Sequence, residues 1–506
     1  MSGREKRRRT GVPMRRLLRW IRNLVAIAVL AVAALAGVLA YNTLRHGSRQ
    51  IDVAAVPPIA IDEQGAAQRL SQSIRFPTIS NFLNPEQGAD ALRDLRAHIE
   101  SSFPAFHAAA KREIVGGHSL LYTWEGSDPQ AKPIGLLAHQ DVVPIAPKTE
   151  ADWQQPPFSG AIEGGYVWGR GSWDDKGNLY AMLEAAELMA KQGFRPKRTI
   201  YFAFGHDEEV SGLRGAAKIA ELLASRNVRL DFVLDEGLLI TDGVLKGLDK
   251  PAALIGVSEK GYATLVLTAR GTPGHSSMPP RDTAIGMLAA ALTHLEDNRL
   301  PMRIRGSVAE MFDTLAPEMS GFSRVALSNL WLFRPLLLRE FAKSGTTAAM
   351  VQTTTALTVF NAGDKDNVLP GVAEASVNFR LLPGDTQASV TDHVRSVVAN
   401  DKIAIQGFDG NFDPPPVTGT KSASYLALNR TIREVFPDVI VAPGLMIAAT
   451  DSRHYAQVAD NIFRFSPVRA TPEDLKRFHG TNERISIKNY ADMIRFYVRL
   501  MQSTAG

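Results

Sequence analysis

Two adjacent carboxylates and a cation, Asp174, Asp175 and Lys176, lie on the glycine-rich stretch Trp168-Gly169-Arg170-Gly171-Ser172-Trp173-Asp174-Asp175-Lys176-Gly177, just ahead of a helical pattern over residues 178–192. Carboxylates there can cap a helix, because Asp and Asn accept from its first N–H groups and glycine permits the turn. They can equally face a metal ion. The turn alone leaves both readings open, and residues elsewhere bear on the choice. His139-Gln140-Asp141, His206-Asp207-Glu208-Glu209 and Asp235-Glu236 each close an apolar run, and His479 comes late, in Phe478-His479-Gly480-Thr481-Asn482-Glu483. Two divalent metals about 3.5 to 4 Å apart need oxygen and imidazole ligands, one bridging carboxylate and an open position for water. His139, Asp174, Glu209, Asp235 and His479 are the candidate ligands. Glu208 is left beside them as a general base, since neighbouring glutamates at a strand end point in different directions. Such a centre brings the pKa of its water towards ~7 and polarises a carbonyl.

The elements that must position these groups read as an α/β chain. Residues 134–138, 199–204 and 231–234 have strand character, and a helical segment over 215–226 separates the last two. That pattern predicts βαβ units and a largely parallel sheet. Ligand sites in such sheets lie outside the carboxyl ends of the strands, where all three polar clusters fall. From residue 258 the pattern changes to strand 262–270, helix 283–296, strands 353–360 and 372–381, helix 387–400 and strand 403–405. The order β-α-β-β-α-β is ferredoxin-like. An insertion over residues 302–350, containing Trp331-Leu332-Phe333-Arg334-Pro335-Leu336-Leu337-Leu338, interrupts it. Further helices are predicted over 66–74, 89–101, 422–435 and 489–502. The chain therefore divides into a first catalytic part, 63–257, an inserted α+β unit, 258–406, and a second catalytic part, 407–506.

Ahead of these lies a different kind of segment. Residues 1–22 hold nine Lys/Arg against the single acid Glu5, a local +8, so the remaining chain carries −3 of the +5 total. A body so nearly neutral argues against nucleic acid as a partner. Residues 24–41 then contain no charge and nearly cross a hydrocarbon core of ~30 Å, with Trp20 and Tyr41 where interfacial aromatics belong. This reads as a single-pass anchor in a lipid bilayer, with basic residues 1–23 in the cytoplasm and the body outside it, periplasmic or extracellular. A cleaved signal peptide is the alternative, since Val38-Leu39-Ala40 resembles a cleavage site. Residues 42–62 are expected as a linker. The absence of cysteine excludes thiol nucleophiles, thiolate metal sites and disulfides.

Seven stretches carry a resemblance: Ala138-His139-Gln140-Asp141, Gly169 to Gly177, Asp207-Glu208-Glu209, Leu234-Asp235-Glu236-Gly237, Gly271-Thr272-Pro273-Gly274-His275-Ser276, Asn367-Val368-Leu369-Pro370 and His479-Gly480-Thr481-Asn482-Glu483. Together and in this order they resemble the co-catalytic zinc peptidase family that includes carboxypeptidase S, aminoacylase, carnosinase and bacterial desuccinylases. The insertion and the Leu-Asp-Glu-Gly stretch are similar to the carboxypeptidase S branch, with its secreted N-acyl-amino-acid hydrolase/synthase relatives. The resemblance implies a zinc-peptidase catalytic domain with a mostly parallel central sheet and a ferredoxin-like lid through which the chain forms a homodimer. It implies two zinc ions, although a His/carboxylate set also accepts Mn or Co.

By the same resemblance Asp174 bridges the metals, His139, Glu209, Asp235 and His479 complete the ligands, and Asp141 orients His139. Asp235 and Glu236 are both carboxylates, and the choice between them stays open, as does the role of Asp175. His275 would stabilise the oxyanion, commonly across a dimer interface, while Asn367, Arg380 and Arg453 would hold polar groups of the substrate. The implied reaction is hydrolysis of the amide next to a free carboxylate, in a small peptide or an N-acyl amino acid. A non-catalytic binding protein on this fold would lack a ligand or the base, and none is missing here.

Overall fold

Strand Ile134–His139 is buried at all six positions and ends on the first candidate ligand. Its neighbours are Ile200–Gly205 and Leu230–Thr241, both parallel to it, so the carboxyl ends of three strands meet at one edge. Strand Ala459–Ala470 continues the parallel run beside Leu230–Thr241, and Ile440–Met446 pairs in parallel with Ala252–Glu259. Antiparallel strands Lys111–Val115 and Ser119–Trp124 close the far side, giving a mixed, mostly parallel sheet of eight strands. The computed structural model describes residues 14–245 and 247–506; the basic residues 1–13 lie outside them.

Helix Lys176–Lys191 leaves the glycine-rich turn and packs on this sheet, with helix Ile487–Ala505 laid beside it. It begins two residues earlier than the pattern predicts. Asp175 occupies its N-cap position but makes no side-chain cap hydrogen bond. The capping reading of the turn therefore fails for Asp175, whose carboxylate is used elsewhere.

The chain crosses at Lys260 into a second, antiparallel sheet. Its strands Gly261–Arg270, Thr354–Ala362, Val372–Leu381 and Ile403–Gly407, with helices Ala284–Asp297 and Gln387–Val398, follow the ferredoxin-like order and enclose their own apolar core. Gly261–Arg270 alternates buried and half-exposed positions, as a strand with one covered face must. The interruption before its second strand is helical: Gly306–Leu315, Gly321–Ser328, Leu330–Phe341 and Gly345–Val351.

The apolar N-terminal segment is one helix, Met14–Arg45, with no buried residue, and is long enough to cross a membrane. Beyond it, residues 46–62 do not behave as a free linker. Gln50 Nε2 donates to Val441 O and its Oε1 accepts from Val441 N, at 2.9 and 2.8 Å, while Ile59 and Ile61 pack on the main core.

Candidate metal centre

Asp174 stands between two imidazoles. Its Oδ1 lies 3.1 Å from His139 Nε2 and its Oδ2 lies 2.7 Å from His479 Nε2. Each side gains one more carboxylate: Glu236 Oε1 is 3.4 Å from His139 Nε2, and Glu209 Oε1 is 3.4 Å from His479 Nε2. Two triads result, His139–Asp174–Glu236 and Asp174–Glu209–His479, each with donor atoms within 4.8 Å of one another and Asp174 common to both.

Asp235 is not in either triad. Its Oδ1 accepts from Glu236 N at 3.0 Å and its Oδ2 accepts from Ser452 N at 2.7 Å. The pairing of this strand with Ala459–Ala470 shifts register just after Asp235, and in the resulting irregularity it is Glu236 whose Oε1 approaches His139. Glu236 therefore faces His139 where the family resemblance points to Asp235.

Three supports hold the triads. Asp141 faces His139 Nδ1 at 3.3 Å and accepts from Glu208 N at 3.2 Å and Glu209 N at 3.1 Å, so one buried carboxylate orients the imidazole and fixes the Glu208–Glu209 turn. Ser80 Oγ donates to its Oδ2 at 2.7 Å. Asp175 Oδ2 accepts from His139 N at 3.2 Å, which gives that residue a positioning contact.

The third support went unassigned in the sequence. Glu483 Oε1 accepts from the N–H groups of Gly171, Trp173 and Asp174 at 2.9, 3.0 and 3.2 Å, and its Oε2 accepts from Arg170 Nη1 at 2.5 Å. Arg170 Nη2 donates to His479 O and Gly480 O, both at 3.2 Å. This buried pair thus ties the turn carrying Asp174 to the loop carrying His479. Both residues belong to the motifs quoted above, and a charge inside a glycine turn was the available signal. The turn must also be glycine-rich: Gly169 has φ 136°, and a Cβ there would lie 2.5 Å from Ile74 Cγ2.

The electrostatics follow from packing so many acids together. Burial, with added repulsion from Asp174 and Asp235 that the His139 contact only partly offsets, pushes Glu236 up to about 8. Burial also pushes Glu208 well above the carboxylate range; His139 works against this, and Asp451, Glu209 and Glu236 add like charge. Contacts with Asp174 and Glu209 raise His479 to about 10. Glu209 Oε1 is buried and has no partner beyond its 3.4 Å approach to His479 Nε2. An excess of buried, mutually repelling carboxylates facing two imidazoles is a donor set suited to two divalent cations.

The remaining candidates form two groups. Arg380 lies over the Tyr262 ring and Arg453 over the Phe412 ring, each 4.9 Å from the centroid, and the two rings stack at 6.1 Å. Arg453 is fixed by Thr450 O and Ser211 O, both at 2.6 Å, whereas Arg380 makes no side-chain hydrogen bond among the described residues. Burial, opposed by Tyr262 but joined by nearby Arg453, lowers Arg380. His275 and Asn367 form the second group, on the short ribbon Gly274–His275 with Val368–Leu369. His275 is exposed, and its Nδ1 accepts from Ser277 N at 3.1 Å. Among the described residues no hydrogen bond or ion pair links either of them to the triads. Three histidines outside the motifs are locally satisfied: His206 bonds Ser119 Oγ, His454 bonds Ser211 O, and His107 lies between Phe103 O and Tyr122 Oη.

Comparison with known proteins places this geometry. The model of peptidase family M20/M25/M40 matches residues 135–503. The chain is 44% identical over 441 residues to the N-fatty-acyl-amino acid synthase/hydrolase PM20D1 of Xenopus tropicalis, covering 86% of this chain and 85% of that protein. It is 42% identical over 494 residues to the probable carboxypeptidase S-like 2 of Dictyostelium discoideum, covering 96% and 93%. Among solved structures, the M20 family metallo-carboxypeptidase Sso-CP2 from Sulfolobus solfataricus superposes with a TM-score of 0.62 at 18% identity, over 88% of this chain and 99% of that one, a likeness of fold.

Proposed function

The chain belongs to peptidase family M20/M25/M40, and from that premise we propose that it is a membrane-anchored metallohydrolase cleaving the amide next to a free carboxylate in small peptides or N-acyl amino acids. The observation that carries the reading is Asp174, whose two oxygens face two different His/carboxylate pairs. His139, Asp174 and Glu236 would hold one cation, and Asp174, Glu209 and His479 the other; zinc suits the set, and Mn or Co are accepted by it. Two such cations supply a polarised carbonyl and an acidified water.

This chain's own residues do the rest. Glu208, kept proton-hungry by burial and neighbouring acids, takes the proton from the attacking water and returns it to the leaving nitrogen. Asp141 holds both Glu208 and His139 in place. Arg380, with its fork uncommitted beside Arg453, receives the substrate carboxylate. Asn367 would bind a further polar group, and His275 would donate to the carbonyl oxygen as it gains charge. Residues 63–257 and 407–506 form the catalytic part, and residues 258–406 the lid and the surface for a homodimer. Helix Met14–Arg45 anchors the chain, its N-terminus cytoplasmic and its body outside; cleavage after a signal sequence is the competing fate.

Two substrate classes are equally supported, a dipeptide and an N-acyl amino acid, the latter because the Xenopus relative is an N-fatty-acyl-amino acid synthase/hydrolase by name. A panel of both, assayed with chelator and with metal added back, separates them. Hydrolysis should vanish on chelation and return with zinc. Glu208→Gln should keep its metal and lose ~10²–10⁴-fold in turnover. Activity indifferent to chelation, or a fully active Glu208→Gln protein, would overturn the mechanism.

A further inference from the structure

The insertion in the ferredoxin-like unit carries an apolar surface that the hydrolytic site does not use. Helix Leu330–Phe341 reads LWLFRPLLLREF and has no buried residue. Its inner face, Leu330, Leu337, Leu338 and Phe341, packs on the local core. Its outer face is apolar too: Trp331 is 60% exposed, Leu336 49% and Leu332 37%. Phe322, on helix Gly321–Ser328, is 60% exposed and meets Phe333 edge-on at 5.4 Å. A helix apolar on both faces at a protein surface lacks a partner.

The end of the N-terminal helix lies against these same helices. Asn329, which is fully buried, accepts from Asn42 Nδ2 at 2.9 Å and donates to Leu39 O at 3.3 Å and Thr43 Oγ1 at 3.2 Å. His46 bonds Ser328 Oγ at 3.0 Å and Asp313 O at 2.9 Å, and Arg49 pairs with Asp313. Leu39 belongs to the uncharged run that ends at Tyr41, roughly 3 Å before its end at about 1.5 Å per residue. The contact with Asn329 therefore falls at the level where hydrocarbon gives way to headgroups. Trp331 is two residues on, its Nε1 3.4 Å from Asn329 Oδ1. Residues 46–62 add no slack, being pinned to the body through Gln50, Ile59 and Ile61.

We propose that helices Gly321–Ser328 and Leu330–Phe341 form a bilayer-contact surface, with Phe322, Trp331, Leu332 and Leu336 seated at the headgroup/acyl boundary of the membrane that the N-terminal helix crosses. Exposed Arg334 and Arg339 beside these apolar groups meet anionic headgroups, the charge pattern of an interfacial helix. The proposal rests on the membrane-span reading of Met14–Arg45. It adds that the body lies on the bilayer with its insertion, instead of standing off on a tether.

The absence of cysteine allows a direct test. Phe322→Cys, Leu336→Cys, Leu30→Cys within the span and Leu213→Cys on an exposed loop of the catalytic part are each placed in the full chain. Each is labelled with an environment-sensitive fluorophore in vesicles of zwitterionic and anionic phospholipid, with retained hydrolysis as the check on folding. Labels at Phe322 and Leu336 should lose quenching by aqueous iodide, as at Leu30, and gain quenching by headgroup-proximal spin-labelled lipid, while Leu213 stays open to iodide. Iodide quenching at Phe322 and Leu336 equal to that at Leu213, with Leu30 protected, overturns the surface and leaves the span. Protection that disappears on diluting protein in lipid, without quenching by lipid, assigns the surface to a second copy of the chain and overturns the proposal. A Leu30 label open to iodide removes the span itself and this inference with it.

Discussion

The carboxylate centre and the lid are held in opposite ways. Around Asp174 the groups that matter are cross-tied and, apart from the exposed His479, buried or half-buried: Asp141 spans two loops, and the Arg170–Glu483 pair spans two more. In the inserted unit, His275 stands on an exposed two-residue ribbon and Asn367 just before its second strand, and the hydrogen bonds of both stay within that ribbon and its turn among the described residues. The first region is built before substrate arrives. In the proposed function the second takes part when the lid, or a second subunit's lid, is brought over the site. Binding metal asks for fixed geometry, whereas admitting and releasing substrate asks for a part that moves.

Asp174→Ala is the largest perturbation of this contrast, because it strips one donor from both triads at once. Metal per chain should fall for both cations, and hydrolysis should fall beyond the ~10²–10⁴-fold that one proton-transfer group is worth. Metal analysis beside turnover measures it, and retention of both metals would remove Asp174 from the shared position. Glu483→Gln tests the cross-tie. It leaves Arg170 buried and unpaired, a change worth about 3–5 kcal/mol of stability, read by denaturant unfolding. His479 and Asp174 should then part company, so metal affinity should fall with stability.

His275→Ala should behave as the reverse. Its side chain is exposed, so stability should stay within about 0.5 kcal/mol, and metal content should not change. Turnover should nevertheless drop ~10²–10³-fold, the worth of one donor to a developing oxyanion. An unaltered kcat would mean that the lid histidine does not reach the reacting carbonyl.

The same contrast governs what could be read in advance. His139, Asp174, Glu209 and His479, which the structure brings together, each sit at a strand end or a loop beside motif neighbours, so the sequence could single them out. Glu236 was not separable from Asp235, because strand Leu230–Thr241 runs seven residues past the expected end at 234, and its pairing with Ala459–Ala470 shifts register near Arg464 and Phe465. Counting alternate faces from the strand's start fails through such an irregularity. Strands Ala252–Glu259, Ile440–Met446 and Ala459–Ala470 escaped for a related reason. Ala252–Glu259 is buried at all eight positions, so no polar face marks its period. The lid strand Gly261–Arg270, covered on one face, alternates and was legible.

Lys260 is the residue at which the chain passes from one region to the other, and its effect is expected in the pH dependence of stability alone. Its Nζ donates to Ala349 O at 2.9 Å and Gln352 O at 2.8 Å, so the amine ties the crossing point to the insertion. Burial, reinforced by Arg380 and opposed by Asp385, brings it down to about 7. An unfolded chain keeps that lysine protonated to about pH 10.4. Between these values the unfolded state binds more protons, so this group makes stability rise with pH from about 7 to about 10, at no more than about 1.4 kcal/mol per pH unit. Below pH 7 both states are protonated and the contribution is flat. Lys260→Met removes the proton and both hydrogen bonds. The stability gap between the native protein and the variant should therefore shift in favour of the native protein as pH rises from 7 to 10, and stay constant from 5.5 to 6.5. Unfolding midpoints of the two full-length proteins across that range measure it. A gap independent of pH would mean that Lys260 stays charged in the fold, and that the crossing between centre and lid is wetter than its burial implies.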